Sequence, residues 1–145
     1  MFEKIMVATD GSEHSERAAK IGIEIAKLSE GTVAAVYVAD VSRNSHLADG
    51  LLLVSIRELL IAEGKEAVSV VEKAAKEAGV PVMSAVLEGN PGEEIADFAV
   101  KNGVSLIVMG SVGRTGLDKF LLGSVAEKVV RNSKVPVLTV PREAA

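Results

Sequence analysis

Residues 4–39 read KIMVATDGSEHSERAAKIGIEIAKLSEGTVAAVYVA, and this stretch decides the fold class. Ile5-Met6-Val7-Ala8 is an apolar run of the length of a buried strand, and Thr9-Asp10-Gly11 stops it. Ser12 stands where a helix cap is needed, with Glu13 and Glu16 in the first turn, where the helix dipole favours acids. Ala18, Ile21, Ile25 and Leu28 then recur at the spacing of an amphipathic helix, which is expected to end near Gly31. Thr32–Ala39 is apolar on both faces, as a parallel strand covered by helices tends to be. Strand, helix and strand without a hairpin turn make a parallel crossover unit.

The same alternation continues along the chain. Residues 40–50 are polar and irregular. Leu51–Ala78 has the periodicity of a long helix, with Ile56, Leu60, Ala67, Val71, Ala74 and Ala78 along one side. Helix core is the expected role of Leu51-Leu52-Leu53-Val54. Gly64, which costs about 1 kcal/mol relative to alanine, marks a place for a bend. Val80–Leu87 reads as a third strand, and Pro81 at its start suits an edge. Asn90-Pro91-Gly92-Glu93 has the form of a capping box, opening a helix that buries Ile95, Phe98 and Ala99 and stops at Gly103. Val104–Met109 is a fourth strand. A glycine-rich segment follows, then a helix over 124–132 and a last strand over Val135–Val140. The pattern predicts one α/β domain over residues 1–145: a three-layer fold whose open, twisted, parallel five-stranded sheet has helices on both faces, Rossmann-like in layout. Such sheets bind ligands at the carboxyl ends of their strands, where strand order reverses. The loops after Ala8, Ala39 and Met109 are therefore the candidates.

Composition narrows the function classes. The 145 residues are 48% apolar and 25% charged, with a mean hydropathy of +0.32, which excludes a disordered or collagen-like chain. No apolar run approaches a membrane span, and no signal-peptide core is visible, so a soluble cytoplasmic protein without a membrane partner is expected. Zero cysteines remove disulfides, thiolate catalysis and zinc–thiolate sites. His14 and His46 are far apart and read as exposed, so no metal or catalytic site is assigned to them. The net charge is −4, yet from Phe98 onward Lys101, Arg114, Lys119, Lys128, Arg131, Lys134 and Arg142 outnumber Asp118, Glu127 and Glu143. Four scattered aromatics (Phe2, Tyr37, Phe98 and Phe120) offer no base-stacking platform, and no nucleic-acid partner is expected. A local positive zone suits a small anion better.

That zone coincides with Gly110-Ser111-Val112-Gly113-Arg114-Thr115-Gly116, continuing to Leu122-Gly123-Ser124. Glycines at a strand end let backbone N–H groups approach an anion, and the helix opening at Gly123-Ser124 offers further unpaired donors. A second reading stays open: the glycines shape a tight turn, Ser124 and Glu127 form a capping box, and Arg114 and Lys119 are solvated. Neither G-x-x-x-x-G-K-[ST] nor G-x-G-x-x-G after the first strand occurs, so neither a P-loop ATPase nor a Rossmann dehydrogenase is indicated.

Read as one pattern, Gly110-x2-Gly113-x9-Gly123-Ser124 resembles the nucleotide-binding signature of the universal stress protein family. Lys4–Ser12 resembles the family's opening strand and turn, Ile107–Ser111 and Leu122–Ala126 its closing half, and Lys134–Leu138 its final strand. The resemblance implies an adenine nucleotide alpha hydrolase-like fold and the ATP-binding class. Carried over by position, it places adenosine between Ala8, Thr9 and Asp10 and the second strand's Val38 and Ala39. It sets Met109 and Gly110 beneath the ribose, with Ser111 beside them. Gly113, Arg114, Thr115 and Gly116, with Gly123, Ser124 and Val125, then hold the phosphates. Many members have histidine where this chain has Val112. For Asp10 two roles stand: a ribose or magnesium contact, or an Asx turn capping the first helix. Magnesium accompanying the triphosphate would keep water and phosphate ligands.

No base or water-orienting group can be named, so the resemblance implies a nucleotide-dependent regulatory protein with at most slow ATP hydrolysis and no assigned catalytic residue. It also implies a homodimer through the last strand, Val135–Val140. The alternative is a ligand-free dimerisation module whose glycines are structural. A phospho-acceptor receiver shares the layout, but its third strand would end in an aspartate, and this one ends in Leu87-Glu88-Gly89.

Overall fold

The computed structural model describes residues 1–42, 50–112 and 122–142. Lys4–Ala8 forms β1, Thr32–Ala39 β2, Val82–Glu88 β3, Leu106–Gly110 β4 and Val137–Val140 β5. The intervening helices are α1 (Glu13–Leu28), α2 (Gly50–Glu77), α3 (Pro91–Lys101) and α4 (Ser124–Asn132). All neighbouring strands pair in parallel, in the order β3-β2-β1-β4-β5. The expected three-layer, Rossmann-like α/β sheet is therefore formed. β3 lies at one edge, as Pro81 suggested, and strand order reverses between β1 and β4.

Strand alternation sorts the core into two slabs. Ile5, Val7, Val33, Ala35, Tyr37, Ala39 and Val108 meet α1 and α2 on one face. Met6, Ala8, Val36, Ile107 and Met109 meet Ile95 and Ala99 of α3 and Ala126 and Val129 of α4 on the other. β1 is buried on both faces because it sits mid-sheet, which explains its unbroken apolar run.

The helix starts follow the sequence closely. Ser12 caps α1 by accepting from the Ser15 amide, and the Asn90 side chain accepts from the Glu93 amide 3.2 Å away. The second half of the expected capping box differs, because the Glu93 carboxylate meets Lys128 Nζ at 3.2 Å instead.

The phase of α1 differs too. Its buried residues are Ser15, Ala18, Ala19, Gly22, Ile23 and Ala26; Ile21 and Ile25 only flank them, and Leu28 is 87% exposed. Small residues face the sheet because the helix lies close to it: a Cβ on Gly22 would stand 2.6 Å from Val7 Cγ2. At the helix end it is Glu30, not Gly31, that takes the left-handed conformation (φ 56°). Gly31 is needed for space, since a Cβ there would meet the carbonyl oxygens of Phe2 and Glu3 at 2.7 Å.

No break forms at Gly64, and α2 runs without interruption from Gly50 to Glu77. The glycine instead admits the Tyr37 ring, whose Cδ1 would lie 2.6 Å from an added Cβ. The expected core role of Leu51–Val54 is also corrected. Leu51, Leu52 and Val54 are all at least half exposed, because this end of α2 extends past the buried part of its stripe, which begins at Gly64.

Candidate functional site

A cavity of about 410 Å³ opens at the carboxyl ends of the strands, spanning the reversal between β1 and β4. Its floor is apolar: Ala8, Val36 and Met109 rise from the sheet, joined by Ile95 of α3. One end lies over β2, where Val38 and Asp40 meet Leu60 and Glu63 of α2 and Pro91 at the first turn of α3. The other lies past β4, where Gly110, Ser111 and Val112 face Gly123, Ser124, Val125 and Ala126 of the α4 start.

The two ends differ in chemistry. At the α4 end the Gly123 carbonyl accepts from the Glu127 amide at 2.9 Å, the first intrahelical bond. The amides of Ser124, Val125 and Ala126 therefore precede the helical ladder, and their residues all line the cavity. Gly123 holds the cap position and makes no side-chain cap hydrogen bond. Ser124 does not form the capping box of the second reading, because it is already the first helical residue, and Glu127 pairs with Arg131 at 2.5 Å. The Gly123 amide donates to the Ser111 carbonyl at 2.7 Å, and the Ser111 amide to the Val140 carbonyl at 2.9 Å, which ties this corner to β5. Donors and a positive dipole end thus face the cavity from α4.

The β1 and β2 end is rich in acceptors. Asp10 Oδ1 accepts from the Ser12 amide at 2.9 Å, so the Asx turn is formed while the residue also lines the cavity. Asp40 and Glu63 lie on the same lining, and Asp40 bonds the Ser42 hydroxyl. Asp40 is therefore a cavity residue. Thr9 and Ser15, both buried, complete this corner with their hydroxyl oxygens 3.0 Å apart.

Of the residues singled out in sequence, the cavity brings together Ala8, Thr9, Asp10, Val38, Met109, Gly110, Ser111, Gly123, Ser124 and Val125. Ala39 lies apart: it is fully buried in the slab facing α1 and α2, and its carbonyl accepts from the Gly89 amide at 3.1 Å. Gly113, Arg114, Thr115 and Gly116 lie outside the described residues, as does His46. Reasoning from sequence missed Ser15, Val36, Asp40, Leu60, Glu63, Pro91 and Ile95 as lining residues. For Pro91 a signal existed, since helix starts at the carboxyl edge of a parallel sheet face its ligand crevice. For Leu60 and Glu63, far along a long helix, none did. Among the described residues no cluster of three or more His, Asp or Glu could hold a metal ion, and no helix is long and apolar enough to cross a membrane.

Comparison with known proteins gives a consistent result. The family model described as the universal stress protein family matches residues 1–141. The universal stress protein MJ0531 of Methanocaldococcus jannaschii is 47% identical over 142 residues, covering 98% of this chain and 84% of that protein. The solved structure of MJ0577, from the same organism, superposes with a TM-score of 0.88 at 33% identity, covering 100% of this chain and 99% of that one. A universal stress protein solved in complex with cAMP superposes with a TM-score of 0.72 at 25% identity, covering 95% and 96% of the two chains.

Proposed function

The chain belongs to the universal stress protein family, and we propose that it is an ATP-binding regulatory member that holds the nucleotide in the cavity at the strand-order reversal. The observation that carries this reading is the start of α4, whose unladdered amides belong to cavity-lining residues and whose glycine cap makes no side-chain cap hydrogen bond. The adenosine moiety lies on the apolar floor of Ala8, Val36, Ile95 and Met109, and the phosphates lie against Gly123, Ser124 and Val125. A cavity of about 410 Å³ is within the ordinary range for a ligand of this size. The related protein solved with cAMP carries the same class of ligand.

The donor set fits an anion and not a bare cation. Magnesium would therefore arrive with the triphosphate and keep water and phosphate oxygens as its main ligands. The described lining supplies binding and orientation but no histidine, and its carboxylates, Asp10, Asp40 and Glu63, belong to the β1 and β2 end and not to the α4 start. Hydrolysis is accordingly slow, and the bound nucleotide acts as a signal. β5, the terminal strand, has an uncharged sequence and an exposed Leu138, which supports a homodimer formed along Val137–Val140.

Calorimetric titration of nucleotide-stripped protein with Mg-ATP tests the reading. Saturable binding near one site per chain is expected. A folded protein that retains no nucleotide and takes up none would overturn it. With one tyrosine and no tryptophan, retained nucleotide would dominate the ultraviolet absorbance and is easily checked.

A further inference from the structure

Thr9 and Ser15 are the only buried polar side chains among the described residues, at 8% and 4% exposure, and both line the cavity. Their protons can be assigned by elimination. The Ser15 hydroxyl donates to the Ser12 carbonyl at 2.8 Å. Thr9 Oγ1 accepts from the Gly11 amide at 3.1 Å. The remaining contact, 3.0 Å between the two hydroxyl oxygens, is then a bond donated by Thr9 and accepted by Ser15. Each oxygen keeps one lone pair and no proton. Asp10 beside them also only accepts, taking the Ser12 amide. This corner can thus satisfy a ligand donor but not another acceptor, the reverse of the α4 end.

We infer that the Thr9–Ser15 hydroxyl pair is a sugar-reading site that accepts a hydrogen bond from a ribose hydroxyl, so that the protein distinguishes ribonucleotides from deoxyribonucleotides. The inference rests on the nucleotide reading above. A phosphate oxygen has no proton to offer here, and an apolar group would make no use of the remaining acceptor capacity. A ribose hydroxyl supplies a donor for that capacity, and a deoxy sugar forgoes the bond.

The test is calorimetric titration of the full chain with Mg-ATP, Mg-2′-deoxy-ATP and Mg-3′-deoxy-ATP. The wild type is expected to bind at least one deoxy analogue about tenfold more weakly than ATP. Ser15→Ala is expected to bring that ratio close to one by weakening ATP, with the deoxy analogue little changed. Thr9→Ser, which keeps the hydroxyl, is expected to preserve the ratio. Should Ser15→Ala fail to fold, Thr9→Val removes the partner oxygen and is expected to reduce the ratio in the same way. A pair serving only to tie β1 to α1 would lower stability and leave the ratio untouched. Equal binding of all three nucleotides by the wild type overturns the sugar-reading site and leaves the nucleotide reading intact. So does a ratio unchanged in both Ser15→Ala and Thr9→Val. Failure of the wild type to bind any of them overturns both.

Discussion

Two helices begin at the rim of the same cavity, and their starts are built in opposite ways. At α1 the cap is a serine whose Oγ takes the Ser15 amide, and the approach to the helix is bonded as well: Asp10 takes the Ser12 amide and Thr9 takes the Gly11 amide. At α4 the cap is a glycine without a side-chain bond, and three amides precede the ladder. An anion therefore finds one helix start partly closed by its serine cap and the other without a capping side chain on its cap residue, although both carry a backbone dipole of the same sense. A helix N-terminus becomes a binding site only where local side chains leave its donors free.

The largest expected effect comes from closing α4 as α1 is closed. Gly123 has φ −65° and ψ 159°, a conformation open to any residue. In Gly123→Asp the carboxylate can accept from the amides offered to phosphate and also repels the ligand's charge. ATP affinity is expected to fall by about a hundredfold or more, roughly 2.7 kcal/mol, on titration. Chemical denaturation of the same variant is expected to show no loss of the folded baseline. Unchanged ATP affinity would place the phosphates elsewhere.

The seat of α1 gives the next effect. Gly22→Ala brings a methyl within 2.6 Å of Val7 Cγ2, so helix or strand must shift. A loss of about 1–3 kcal/mol in urea unfolding is expected. A shift of α1 also moves the Thr9–Ser15 corner, so ATP affinity is expected to fall alongside stability, whereas Gly123→Asp separates the two.

Opening α1 should matter less. Ser12→Ala removes the side-chain cap and is expected to cost about 1 kcal/mol of unfolding free energy. ATP affinity is expected to stay within about twofold, because the α1 dipole faces the acceptor-rich end of the cavity. A gain in ATP affinity would show that the freed α1 amides compete for phosphate.

The contrast between the helix starts also separates what was legible in sequence from what was not. Ser12 and Asn90 were readable because a cap acts over three residues of the same chain. The strand ends that carry Ala8, Val38 and Met109 followed from apolar runs and the rule for parallel sheets. The Ser124–Glu127 capping box, the alternative to an anion site, does not form because the helix starts at Ser124 itself, as its expected span of 124–132 implies. The phase of α1 was misread because Ala19, Gly22 and Ala26 face the sheet by virtue of being small, and a stripe drawn through large apolar residues passes them by. Leu60 and Glu63 reach the cavity only through the placement of α2 on the sheet, a tertiary fact without local trace.

The smallest effect concerns how the open helix start is held. Lys128 on α4 lies 3.2 Å from both Asn90 Oδ1 and Glu93 Oε1 at the α3 start, and its stem lies against Gly92, where a Cβ would come within 2.6 Å. Asn90 Oδ1 thus serves two donors, the Glu93 amide and Lys128, and so joins the two helices that flank the cavity on this face. The lysine side chain is 37% exposed and that of Glu93 64%, so water and salt screen the pair. Lys128→Met keeps the packed stem and removes only the charge. It is expected to cost about 0.5 kcal/mol of stability at low salt, less at high salt, with a similar coupling to Glu93→Gln in a double-mutant cycle. ATP affinity is expected to change less than about threefold. A larger loss, with stability preserved, would mean that α4 is aligned on its ligand through this contact and not by its burial of Ala126 and Val129 alone.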